Sequence, residues 1–260
     1  MNASNYWSQK KAIVTAGASG IGLSIATALS RAGASVWICD LSQEYLAAAA
    51  EGLPGIGAKV CDVSDAAAAA GFVNDAAEAM GGLDIVVNNA GIAGPAAPLE
   101  EISTEDWVRT FAVNVHGQFF IARAAIPHLK RAGSGSIVCM ASVAGKYAFP
   151  LRSPYASSKA AVISLARGLS VELGPHQIRV NAIAPGVVAG DRIRRVFTDR
   201  SKARGITYEE MEAIALRAVS MKTMVEPEEI ADLVMFLCGP SGRAITGQVH
   251  SICGGLEYTE

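Results

Sequence analysis

Seven short, almost uninterrupted apolar runs recur along the chain, at 12–15, 35–39, 57–61, 83–87, 136–140, 178–182 and 249–252. Between most of them lie segments with helical periodicity, at 23–31, 45–51, 66–80, 107–129, 155–173 and 227–237. A strand that is apolar on both faces belongs in a sheet covered on both sides, and parallel strands need long crossovers, which helices supply. The pattern therefore predicts an α/β doubly wound fold, a seven-stranded parallel sheet flanked by helices in one domain over residues 1–260. Residues 188–224 interrupt the alternation with a charged, helix-prone insertion containing Asp191, Arg192, Arg194, Arg195 and Arg204. With 51% hydrophobic and 18% charged residues the chain has ample core material, which excludes disorder.

The net charge of −2 gives no global reason to expect a nucleic-acid or membrane-surface partner. The uncharged stretch 12–30 is broken by glycines and hydroxyl residues, so it does not read as a membrane span. Five cysteines form no CxxC pair, and the four histidines show no metal-ligand spacing, so no disulfide framework and no metal are expected. The start of the chain lacks the features of a secretory signal, and the expected location is cytoplasmic.

Gly17, Gly20 and Gly22, with Ser19 and Ile21 between them, lie where the first strand turns into the first helix. There glycine lets the backbone turn tightly and approach a dinucleotide pyrophosphate at the helix N-terminus, which makes the fold Rossmann-like. A packing role is the alternative for each glycine alone. Asp40 closes the second strand, where a carboxylate accepts from ribose hydroxyls and repels a 2′-phosphate, so NAD is favoured over NADP.

The glycine loop, Asn88-Asn89-Ala90-Gly91, Asn114, Ser142, Tyr155-Ala-Ser-Ser-Lys159 and Pro185-Gly186 together resemble the classical short-chain dehydrogenase/reductase family, from about Lys11 to Gly255. The resemblance implies an NAD(P)-dependent oxidoreductase, commonly a homotetramer. It assigns Asp62 and Val63 to the adenine, Asn88, Ala90 and Gly91 to the floor under the cofactor, and the segment with Pro185, Gly186 and Val188 to the nicotinamide carboxamide. It also implies that Asn114 supports a relay water near Lys159. Three positions depart from the family pattern: Ala16 stands at the first glycine of its TGxxxGxG loop, Gly190 where a threonine is frequent, and Cys253 where aspartate is common.

Tyr155 and Lys159 are four apart on an expected helix and share a face. A phenol beside an ammonium can exchange the proton of a substrate hydroxyl, with the ammonium favouring the phenolate and Ser142 donating to the substrate oxygen. Taken singly, each has a bland reading as helix surface, turn hydroxyl or buried amide; taken jointly they read as catalysis. Val143, Tyr147 and Phe149 are candidates for an apolar substrate wall. Arg152, Arg192, Arg194 and Arg195 are candidates for holding an anionic group, with a solvated charged helix as the alternative. The expected reaction interconverts a secondary alcohol or polyol hydroxyl and a carbonyl in a small substrate. A 3-oxoacyl-carrier-protein or other carbonyl reductase is the enzymatic alternative, and a cofactor-bound regulatory or assembly protein the non-enzymatic one.

Overall fold

The computed structural model describes residues 6–256; residues 1–5, part of the segment read above for a secretory signal, and 257–260 lie outside it, as do the side chains of Asp199, Arg200 and Ala203. Seven strands form one sheet: β1 (Lys11–Thr15), β2 (Ser35–Asp40), β3 (Gly57–Val60), β4 (Ile85–Asn88), β5 (Gly135–Met140), β6 (Ile178–Pro185) and β7 (Val249–Ile252). Their order is β3-β2-β1-β4-β5-β6-β7, and every neighbouring pair is parallel. The Rossmann-like α/β fold expected from the apolar runs is thus present.

Strand side chains alternate between two apolar layers. Ile13, Val86, Ile137 and Val180 face one layer, together with Phe72, Ile121, Leu129 and Val162. Val14, Val87, Val138 and Ile183 face the other, with Ile25, Leu29, Ile230 and Val234. The helices supplying the first layer are α3 (Ala66–Met80), α5 (Gly117–Ala132) and α6 (Ser153–Leu173). Those supplying the second are α1 (Gly20–Arg31), α2 (Gln43–Gly52) and α9 (Pro227–Cys238). Local chemistry sets their ends. Asp65 caps α3 by accepting from Ala67 N at 2.7 Å and Ala68 N at 2.9 Å, and Gly81, at φ 68°, ends it in the left-handed conformation.

The helix expected over 107–129 is instead a composite of α4 (Thr104–Phe111), a π-helical turn (Ala112–His116) and α5. Ser103 caps its start by accepting from Asp106 N at 3.0 Å. Pro127 lies inside α5 without ending it. A π turn carries one extra residue per hydrogen-bonded loop, which a 3.6-residue periodicity does not reveal, and such turns recur at functional sites. The charged insertion folds as α7 (Asp191–Arg204) and α8 (Tyr208–Leu216). Among the described residues no helix is long and apolar enough to cross a membrane.

Candidate active site

From β1 the chain winds outward to β2 and β3, then returns to the other side of β1 as β4. At such a reversal the loops leaving the carboxyl ends of the strands diverge and open a crevice, where ligands of open α/β sheets bind. The loop from Ala16 to Ser19 lies on one side of this opening, and the segment from Asn89 to Gly91 on the other.

Two of the three loop glycines answer to the protein itself. A Cβ on Gly17 would lie 2.6 Å from the Ile38 side chain, and one on Gly22 would lie 2.0 Å from Ala16 O and 2.7 Å from Asn89 Nδ2. Gly20 differs: its φ is +50°, and a Cβ there would meet nothing within 4 Å. That open space adjoins the first turn of α1, where Ser19 precedes the helix without placing its hydroxyl on a helix N–H. The N–H groups there are free to receive an anion, and the site fits a dinucleotide pyrophosphate. Thr15, to which the sequence reading gave no role, ties the two sides together: its Oγ1 accepts from Asn89 N at 3.0 Å and Ala90 N at 2.9 Å. Its signal was a hydroxyl ending an otherwise apolar strand. Asn89 Nδ2 adds bonds to Thr15 O and Ala16 O at 3.0 and 3.1 Å.

Asp40 sits at the end of β2 with Oδ1 accepting from Leu41 N at 2.8 Å and Oδ2 turned toward Ala18 N at 3.4 Å. Asp62 is exposed and accepts from Ser64 N at 2.9 Å, whereas Val63 is buried against Gly117 on α5. Asn88 is buried; its amide donates to Gln118 O at 3.2 Å, while its Oδ1 meets no hydrogen-bond partner among the described residues. Gly186 lies so close to Cys253 that a Cβ there would be 2.7 Å from the cysteine Cβ. Val188 bridges Val225, and Pro185 ends β6 in register with Ile252.

The catalytic candidates converge on α6. Lys159 is 3% exposed, with Nζ 5.7 Å from the Tyr155 ring centroid. One of its three N–H groups donates to Met140 O at 2.8 Å. Burial, and after it the positive charge of Arg192, push this ammonium from its ordinary 10.5 down to about 7. A buried ammonium with donors to spare suits the ribose hydroxyls of a nicotinamide nucleotide. Asn114, on the π turn, donates from Nδ2 to Ile92 O at 3.0 Å and Ser158 Oγ at 2.9 Å, and accepts at Oδ1 from Ile92 N at 2.7 Å. Ser158 in turn donates to Tyr155 O at 2.7 Å, so the π turn braces the first turns of α6. Asn114 Oδ1 and Lys159 Nζ both approach Gly91, where a Cβ would lie 3.1 Å from each.

Ser142 Oγ accepts from Ala144 N at 3.2 Å, which leaves its own proton available for a substrate oxygen. Its loop rests directly on α6 at Gly145, where a Cβ would lie 2.6 Å from the Lys159 carbonyl carbon. Gly145 was missed because a single glycine after a strand carries no signal of what will pack on it.

The substrate-side candidates separate. Val143 is 3% exposed and packed with Ala184, Val219 and Leu256, so it belongs to a small core cluster rather than to an open wall. Tyr147 is 40% exposed and Phe149 half-buried. Arg152 donates from Nη2 to Ala93 O at 2.8 Å and holds its guanidinium 5.4 Å from the Tyr155 ring centroid. Arg195 turns back on its own helix, donating to Asp191 O at 3.3 Å, and Arg194 approaches the Asp191 carboxylate at 4.0 Å. Gly190, just before α7, has φ 133° and ψ 179°, a conformation essentially reserved for glycine and strained for a threonine.

A family model described as Enoyl-(Acyl carrier protein) reductase matches residues 15–257, from the glycine loop through β7. The chain belongs to the classical short-chain dehydrogenase/reductase family. This short-chain dehydrogenase/reductase is 36% identical over 249 residues to galactitol 2-dehydrogenase of Agrobacterium fabrum, covering 95% of this chain and 96% of that one. Among solved structures it resembles NAD+-bound xylitol dehydrogenase with a TM-score of 0.89 and 30% identity, covering 95% and 98% of the two chains. It likewise resembles an actinorhodin polyketide ketoreductase with NADPH, with a TM-score of 0.91 and 30% identity over 98% and 99%. Membership makes the chain a nicotinamide-dinucleotide oxidoreductase of alcohol and carbonyl groups.

Proposed function

We propose that this short-chain dehydrogenase/reductase is an NAD-dependent dehydrogenase that reversibly converts a secondary alcohol or polyol hydroxyl to a carbonyl in a small substrate. The observation that carries the reading is the grouping of Tyr155, Lys159 and Ser142 at the carboxyl ends of β5 and β6, with Asp40 at the ribose end of the same crevice. The nicotinamide, when bound, supplies the acceptor or donor of hydride. In oxidation the Tyr155 phenolate removes the hydroxyl proton, and in reduction the phenol returns it to the developing alkoxide. Lys159 favours the phenolate by its charge and holds the ribose; Ser142 donates to the substrate oxygen and fixes its position. Asp40 accepts from the adenosine ribose and repels a 2′-phosphate.

A carbonyl reductase of the oxoacyl type is the second reading, favoured by the description of the matching family model and by the NADPH of one structural neighbour. The carboxylate of Asp40 weighs against it. Free buried thiols at Cys39, Cys61, Cys139 and Cys238 support a reducing, cytoplasmic setting. Exposed Val108 and Phe119 on the α4–α5 composite and Val171 on α6 support assembly as a homotetramer, which light scattering measures directly. The deciding experiment is a panel of secondary alcohols, polyols and ketones with NAD and NADP. Turnover with NAD that falls at least about a thousandfold in Tyr155→Phe, with dinucleotide binding retained, is expected. Undiminished turnover in that variant removes the proposed role of Tyr155.

A further inference from the structure

Beside Lys159 lies a buried amide that the proposed chemistry does not use. Gln118, the second residue of α5, follows the π turn that carries Asn114 and is 2% exposed. Its Nε2 donates to Met140 O at 3.1 Å, and Lys159 Nζ donates to the same oxygen at 2.8 Å. Met140 ends β5, two residues before Ser142, so one carbonyl joins the strand of the serine, the catalytic ammonium and the first turn of α5. The backbone of Gln118 ties in a fourth piece, since its carbonyl accepts from Asn88 Nδ2 at 3.2 Å, at the end of β4. The side chain holds this place at a cost. Gln118 Oε1 is buried and meets no hydrogen-bond partner among the described residues, and a buried acceptor left unpaired loses its hydration without return. An apolar side chain of the same length would fill the space without that loss. What the amide alone supplies is the second donor on Met140 O.

We infer that Gln118 is a positioning residue for Lys159: it occupies one lone pair of the Met140 carbonyl and thereby confines the ammonium to the other. A carbonyl oxygen has two lone pairs, which lie near the plane of its group. With both open, a flexible lysine can approach along either; with one taken by an amide anchored on α5, the direction of Nζ is fixed. Met140 O is the one acceptor that an N–H of Lys159 meets among the described residues, so fixing this bond orients the two remaining N–H groups as well. The inference rests on the dehydrogenase reading, in which those donors serve the cofactor ribose and the phenolate, and adds to it the residue that aims them. Sharing also weakens the hold. An oxygen that already accepts one hydrogen bond is a poorer acceptor for a second, so Gln118 disfavours the charged lysine in the same direction as burial does.

The test compares Gln118→Met, which keeps the length and removes the amide, with the parent protein in two measurements. In steady-state oxidation of an alcohol from the panel, kcat should fall about tenfold or more with KM for the alcohol within about twofold, because the lysine acts on cofactor and tyrosine rather than on the alcohol. The second measurement needs no turnover: urea denaturation of the cofactor-free proteins from about pH 6 to about pH 10.5. Without the rival donor Lys159 holds its proton more readily in the fold, so the stability it removes as the pH falls from 10.5 toward 7 shrinks. The urea midpoint of Gln118→Met relative to the parent should therefore rise as the pH falls through that window. The Arg192 charge, the Cys139 thiol and the Tyr155 ring, which also act on or face the ammonium, are the same in both proteins. Gln118→Glu keeps the shape, cannot donate once ionised, and should move both readings the same way, so it carries the test if the methionine variant does not fold. Ser136→Ala, which removes a buried hydroxyl from the same strand outside the site, should leave kcat within about twofold and the pH dependence unchanged. An unchanged kcat, or a midpoint difference constant across pH, overturns the inference and leaves the dehydrogenase reading standing. If no alcohol in the panel turns over, the dehydrogenase reading falls, while the denaturation curves still decide whether Gln118 acts on Lys159.

Discussion

At the residue scale, two positions carry a cost that their neighbours do not remove. Ala16 has φ 48°, the left-handed region, at the place where the family's loop has glycine. That conformation costs a residue with a Cβ about 1–2 kcal/mol, while glycine in its place adds about 0.4–1 kcal/mol of chain entropy to the unfolded state. Ala16→Gly should therefore stabilise the protein by roughly 0.5–1 kcal/mol, read as a shift in urea midpoint at constant slope. Lys159 carries the larger cost. Its ammonium titrates at about 7 in the fold against 10.5 ordinarily, so between those values the unfolded chain holds a proton that the folded chain does not. Stability contributed by this group is thus fully present above about pH 10.5 and is lost as the pH falls toward 7. Lys159→Met should raise the stability of the dinucleotide-free protein by on the order of a few kcal/mol at pH 7 and by nothing above pH 10.5, while abolishing turnover. Met140 O keeps a partner in that variant, since Gln118 Nε2 donates to it at 3.1 Å. Thermal melts across pH decide; a gain independent of pH refutes the account. The Tyr155–Lys159 pair was legible from its spacing, since four residues on a helix place two side chains on one face. The strain at Ala16 was not, because the sequence shows the methyl group but not the φ.

At the scale of elements, the site depends on how closely three pieces pack on α6. The Ser142 loop touches it at Gly145, the β4 segment approaches Lys159 at Gly91, and the π turn braces it through Asn114 and Ser158. Gly145→Ala places a methyl group 2.6 Å from backbone that cannot yield easily. It should cost about 1–3 kcal/mol and lower kcat more than it raises KM, because it moves Ser142 relative to Tyr155. Steady-state kinetics beside a denaturation curve check both parts, and an unchanged kcat removes Gly145 from the positioning of Ser142. Helix type and approximate limits were legible from periodicity and composition. The π turn was not, since one extra residue in a helix leaves the apolar pattern nearly intact while rotating Asn114 into the site.

At the scale of the molecule, strand order decides where chemistry can happen. The reversal between β1 and β4 brings residues 15–22, 40, 62–63 and 88–91 to one edge of the sheet. On the other side of β4 the order β5-β6-β7 brings Ser142, α6 and α7 to the same edge. Asp40 is the charge at the far end of that line. Asp40→Ser should raise the KM for NAD about tenfold or more and narrow the NAD-to-NADP preference by at least as much, in initial-rate measurements with both cofactors. A variant that still discriminates fully places the selection elsewhere. The sequence by itself determined the parallel α/β class and pointed to the glycine loop and to Tyr155 and Lys159 on one helix face, because apolar run length, glycine spacing and helical periodicity are local and leave a direct trace in the chain; Ser142 was reached through the family resemblance. Tertiary structure alone decided that a Cβ at Gly17 or Gly22 would meet the protein itself, that Val143 is buried in a small core cluster, and that Arg152 lies over the Tyr155 ring. Those outcomes depend on what lies across a contact from each residue, and most of the partners come from segments far along the chain that no local pattern names.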